Sequence, residues 1–275
     1  MANEIIAEGI VIADTVTKLG DECPGNVLIG ASHGGVYASY LACKAGVRGV
    51  ILNDAGRGKD DAGIGGGAYC QDLAIPYATV DTMTARIGNG RDMAARGTIS
   101  FANPLAAELG VEAGMTSRAA AEKLQAAELS QMPVPVYEEA RSELPAATGE
   151  RQVVIVDSAS LVYPEDGGRI IVTGSHGALL GGEAGSALMV DAFAAFYNDA
   201  GGGADGIGYS RLAALDERNI VAGTVAAMSA RIGDGRSTYG DGTLSHVNQT
   251  AAGFGAEVGR PLKDFITGIT GIVGS

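Results

Sequence analysis

Three histidines occur in the 275 residues, and two of them sit in the same short phrase: Ser32-His33-Gly34 and Ser175-His176-Gly177. Histidine suits proton transfer near neutrality, because its ordinary pKa is ~6.5. In a glycine-flanked turn, either imidazole could face a crevice with free backbone N–H groups beside it. The simpler alternative is that the two rings cap buried helices or bridge two parts of the chain. Ser32 and Ser175 precede the histidines directly, and neighbours in an extended turn point apart. A Ser–His dyad within one phrase is therefore not expected, although a serine of one phrase could face the histidine of the other. Capping of a helix start would also account for both serines.

A second polar block, Asn53-Asp54-Ala55-Gly56-Arg57-Gly58-Lys59-Asp60-Asp61, can wrap a polar ligand closely. Asp54 directly follows an apolar run and is expected to point inward. Lys59 could hold a developing negative charge. Asn198 and Asp199 repeat the start of this block, but Gly202-Gly203-Ala204 stand where Arg57-Gly58-Lys59 would be. A third block, Ala-Arg-Ile-Gly-x-Gly-Arg, occurs at 85–91 and 230–236. Arg86 and Arg231 carry forks suited to a substrate carboxylate, or equally to an ion pair with an aspartate of the other block. Tyr239 and His246 add a phenol and the third imidazole to the second set. Asp14, His33 and Asp54 are of types that ligate Zn or Mn, but no H-E-x-x-H or C-x-x-C spacing accompanies them. A divalent metal is not favoured. No G-x-G-x-x-G follows the first strand, and Gly58-Lys59-Asp60 lacks the spacing and hydroxyl of a P-loop, so no cofactor is expected.

These blocks recur in order. Matching Asp14 with Asp157 gives an offset of 143 that also superposes the two Ser-His-Gly phrases. After a two-residue insertion the offset becomes 145, and it then matches Asn53 with Asn198 and Arg86 with Arg231. Gly97, Ser100, Asn103 and Gly114 fall on Gly242, Ser245, Asn248 and Gly259. The chain therefore reads as a first repeat over 1–125, a proline-bearing linker or crossover over 126–150, and a second repeat over 151–275. Apolar runs at 9–14, 26–30, 48–52 and 76–81 read as strands, as do 152–157, 169–173 and 220–226 in the second copy. Helices are expected at 35–45, 66–73, 116–127, 183–197 and 209–217. The counterpart of strand 48–52, at 192–197, is less strand-like. Alternating strands and helices predict an internally duplicated α/β fold, with mainly parallel sheets, flanking helices and a pseudo-twofold arrangement. Ligands in such sheets sit beyond the carboxyl ends of the strands, where the polar blocks fall.

Composition narrows the function. A net charge of −13 leaves no basic stripe to meet nucleic-acid phosphates. No apolar run approaches membrane-spanning length and no signal peptide is legible, so a cytoplasmic protein is expected. Cys23, Cys43 and Cys70, an odd number, read as reduced thiols. Glycine, at 43 residues, points to tight turns and close backbone approach. The expected function is hydrolysis of a C–N bond, in an amide or cyclic amide, of a small polar or carboxylate-bearing molecule. A histidine would move the proton, and backbone N–H groups with Lys59 would hold the oxyanion. The alternatives are an isomerase or racemase using His33 and His176 on opposite faces of one carbon, and a non-catalytic small-ligand binder. Homo-oligomerisation is left open.

Overall fold

A computed structural model describes residues 3–271. Each half of the chain forms one six-stranded sheet. In the first, β1 (Glu4–Ala7), β2 (Ile10–Ala13), β3 (Val27–His33), β4 (Gly49–Asn53), β5 (Tyr77–Val80) and β6 (Ile99–Ala102) lie side by side in chain order. The second contains β7 (Arg141–Glu143), β8 (Val153–Val156), β9 (Ile170–His176), β10 (Ala194–Asn198), β11 (Val221–Val225) and β12 (Leu244–Val247), also in chain order. The four central strands of each sheet are parallel, and an antiparallel strand closes each edge. Registers repeat with the sequence offset: Ile10 stands opposite Val27, and Val153 opposite Ile170.

The central strands are continuous apolar runs because both faces of each sheet are covered. Val27 and Ile29 face one core layer with Ile10, Ile12 and Leu124, while Leu28 faces the other with Val11, Leu52 and Tyr77. Helix Ser117–Leu124 forms where expected, with the Thr116 hydroxyl accepting the Ala119 N–H. Its counterpart, Leu262–Ile269, packs on the second sheet. The four antiparallel edge strands were not foreseen. One of them, β7, falls inside the 126–150 segment, so this crossover contributes to the second sheet.

The helix expected over 183–197 does not form. Only a single 3-10 turn, Ala184–Ser186, is present, and Ala194–Asn198 is β10, paired on both sides. Alanine-rich apolar sequence fits a buried strand as well as a helix. Gly181 and Gly182, at φ +59° and +77°, break any helix upstream.

The two halves meet across a pseudo-twofold. Gly56 and Gly201, both left-handed, touch at its centre; a Cβ on Gly56 would lie 2.9 Å from the Gly201 Cα. The Lys59 N–H donates to the Ala227 carbonyl at 2.9 Å, and in the equivalent place Ala204 N–H donates to Thr82 at 2.7 Å. Ala55, Ile87, Ala178, Ala200 and Ile232 form a small apolar cluster between the halves.

Candidate functional site

Strands β3 and β9 both end on a histidine, and the same irregularity in register places His33 opposite Asn53 and His176 opposite Asn198. The following glycine N–H groups donate to those asparagine carbonyls at 2.7 and 2.8 Å. Gly34 has no room for a side chain, since a Cβ would lie 2.4 Å from the Gly63 carbonyl oxygen. Both imidazoles thereby line one cavity of about 180 Å3 between the halves, with Ser32, Ser175, Asp157 and Arg211. A neighbouring recess shares His33 and Asp157 and extends to Asp60 and Arg231.

Protonation follows from local hydrogen bonds. The Gly35 N–H donates to His33 Nδ1 at 3.2 Å, and the Ala178 N–H donates to His176 Nδ1 at 3.3 Å. A ring nitrogen that accepts an N–H cannot carry a proton, so each neutral ring is protonated at Nε2. Burial holds the His33 pKa down to about 4. His176 is held well below its ordinary value by burial, by the Arg211 charge and by the charge His33 would carry. Both rings are thus neutral hydrogen-bond donors at neutral pH. The serines are arranged alike: Ser32 Oγ accepts the Val16 N–H at 3.0 Å, and Ser175 Oγ accepts the Ala159 N–H at 2.9 Å. Each hydroxyl spends an acceptor position on the backbone and keeps its proton to donate. No hydrogen bond joins either serine to His33 or His176 among the described residues.

The first phrase with its flanking residues, Gly30-Ala31-Ser32-His33-Gly34, spells Gly-x-Ser-x-Gly, the pattern of a nucleophile elbow. An elbow needs its serine on a sharp, strained turn after the strand. Ser32 instead lies within β3, and no residue of the phrase has a left-handed φ. No family model, curated protein or solved structure matches the chain.

Three cavity residues, Glu139, Tyr37 and Arg211, had no signal in the repeat pattern, whereas Asp157 repeats Asp14. Glu139 comes from the crossover segment, whose Tyr137 packs near Tyr37 and Tyr40. Burial pushes the Glu139 carboxyl up to about 7; the Tyr37 phenol opposes this, the Asp157 charge adds to it, and Ser158 opposes it. Tyr37, pushed up to about 12 by burial and by Glu139, stays protonated. Asp157 accepts the Gly235 and Ala140 N–H groups at 3.0 and 2.7 Å. The Gly235 bond has an equivalent between Gly90 and Asp14 at 2.9 Å. Arg211 opens helix Arg211–Asp216 and is 4% exposed.

The remaining candidates lie elsewhere. Asp54 is buried and points inward, with Oδ1 accepting the Gly56 and Thr82 N–H groups at 2.9 and 3.0 Å. Asp199 does the same for Gly201 and Ala227, so both aspartates tie the turns at the junction. Lys59 Nζ lies 2.9 Å from Asp241 of the other half and does not line the cavity. Arg86 pairs with Asp205 at 2.8 Å, and Arg231 pairs with Asp60 at 3.0 Å in the equivalent position. Arg231 borders the recess. His246 stacks on Tyr209 at 3.8 Å, and Tyr239 packs on the second core; neither reaches the cavity. Among the described residues, no three His, Cys, Asp or Glu side chains converge as a metal site, and Asp14, His33 and Asp54 stay apart in this sense.

Proposed function

We propose that the cavity between the repeats is the active site of a hydrolase that opens the C–N bond of a small amide or cyclic amide. One observation carries the reading: two neutral imidazoles and two serine hydroxyls, all with protons to donate, line a small cavity that also holds a carboxyl poised near neutrality. Donors of this kind favour a ligand rich in acceptor oxygens. A neutral imidazole can stabilise a developing oxyanion without itself changing charge. The proton role then passes from histidine to Glu139. Its carboxylate takes a proton from water as the water oxygen bonds to the carbonyl carbon, and the carbonyl electron pair moves onto the oxygen held by Nε2–H. As the intermediate collapses, Glu139 returns the proton to the leaving nitrogen and the C–N bond breaks. Lys59 has no part in this scheme.

The test is a screen of small linear and cyclic amides, followed by mass spectrometry for the gain of one water. For a substrate so found, kcat/KM should rise with pH to a midpoint near 7, because the ionised carboxylate is the active base. Glu139→Gln should lose about 10^2- to 10^4-fold in rate and abolish that rise. Wild-type turnover by folded E139Q would overturn the reading. The equivalent placement of His33 and His176 supports isomerisation as the second reading. Solvent deuterium entering the substrate without cleavage would favour it, whereas affinity without turnover would leave a binding protein.

A further inference from the structure

We infer that Arg211 recognises a carboxylate on the molecule that enters this cavity. The inference rests on the cavity being the substrate site, and it assigns the substrate's charged group. The Arg211 guanidinium is buried, and its partners among the described residues are neutral. Nε donates to the Ala178 carbonyl at 2.9 Å, Nη1 donates to the Ser186 and Ala187 carbonyls, at 2.9 Å to the former and 2.5 Å to the latter, and the group lies 4.9 Å from the Tyr197 ring centroid. By contrast Arg141, Arg169, Arg218 and Arg231, all more exposed, each pair with a carboxylate.

A buried cation without an anion is costly, and carbonyl dipoles offset that cost only in part. Here it lines a cavity beside donors from both serines and both histidines, so an anionic oxygen would meet complementary charge and hydrogen bonds together. Three of the five guanidinium N–H groups go to carbonyls, which leaves the two on Nη2, held in a fixed plane, to donate to a carboxylate oxygen. A phosphate dianion fits less well, because Glu139 and Asp157 already place negative charge on the same walls. Arg86 and Arg231, the arginines whose repeat pattern marks them for a substrate carboxylate, are committed to Asp205 and Asp60.

The experiment is calorimetric titration of the full-length protein at neutral pH with matched pairs of equal size: oxamate and oxamide, malonamate and malonamide, succinamate and succinamide, glutaramate and glutaramide. In at least one pair the carboxylate member should bind about tenfold or more tightly than the diamide. Arg211→Met should remove that preference. Arg211→Lys, which keeps the charge but loses the carbonyl-anchored plane that fixes Nη2, should keep only part of it. Arg236→Gln, an exposed arginine outside the cavity, should leave it unchanged. R211K with native circular dichroism decides the matter if R211M does not fold. No preference in any pair, retention of full preference in folded R211M or R211K, or selective binding of inorganic phosphate would overturn the inference. Failure of the hydrolase reading looks different: carboxylates bind through Arg211, but none of the amides is cleaved.

Discussion

After His33 the first repeat forms helix Val36–Lys44, whereas after His176 the second repeat forms a loop with one short turn. The strands on either side are alike, and so are the hydrogen bonds of the two histidines. The difference lies in how the connecting backbone is satisfied. In the first repeat, carbonyls are bonded within the helix. In the second, three of them receive N–H groups from Arg211, whose counterpart is Gly66; a Cβ there would lie 1.8 Å from Ser39 Oγ. The helix fills the space that the loop leaves to a cation. Two similar units thus build unlike walls for one cavity, with Tyr37, Ala38 and Leu41 on one side and Leu180, Leu188 and Arg211 on the other.

That contrast can be broken most directly with proline. Ala42→Pro removes a helical N–H and should cost about 3 kcal/mol or more in urea unfolding. Ala184→Pro, in the exposed loop where the N–H has no backbone partner among the described residues, should cost under about 1 kcal/mol. Equal losses would mean that the helix and loop are not distinct supports. Next in size is the junction. Gly56→Ala strains a φ of +72° and drives a Cβ into Gly201, so a loss of about 2–3 kcal/mol is expected. Gly202→Ala, at φ +81° with open space around it, should cost only about 1 kcal/mol.

The histidines sharpen the comparison through pH. His33 stays neutral in the fold down to about pH 4, while in the unfolded chain it protonates below ~6.5. The unfolded state therefore binds the extra proton between these values, and unfolding free energy falls as pH is lowered across that window. Glu139, raised to about 7, acts in the opposite direction as its unfolded form ionises. Unfolding curves at pH 7 and 4.5 should show a shallower loss in His33→Gln; an unchanged slope would contradict neutral burial. The smallest effect concerns Lys59, which has no cationic counterpart in the second repeat. Its bridge to Asp241 is part-exposed, so Lys59→Met should change stability by under about 1 kcal/mol and leave ligand binding intact.

The duplication was legible because doubly covered strands are apolar runs and the same turn residues recur at fixed offsets. The equivalence of the two Ser-His-Gly phrases at strand ends was legible for the same reason. Glu139 was not, because it owes its place to a chain crossing between sheets and carries no periodicity. Arg211 reads in sequence as an ordinary arginine at a helix start; only the missing helix beside it gives it a buried role. Lys59 misled in the other direction: its glycine-rich turn looked like a ligand loop, but its acidic partner lies 182 residues away. The residues 183–197 failed on composition, since buried alanine-rich segments satisfy both periods until their neighbours are known.

The reciprocal bonds of Lys59 to Ala227 and Ala204 to Thr82 give this junction the self-complementary logic of an isologous dimer. A dimer of identical half-chains must carry every substitution twice, so a change that opens one wall of a shared cleft opens the other as well. Joining the halves covalently removes that constraint. One half can then keep a helix while the other gives it up, and a single cavity can acquire a front and a back, which lets it hold an asymmetric molecule in one orientation.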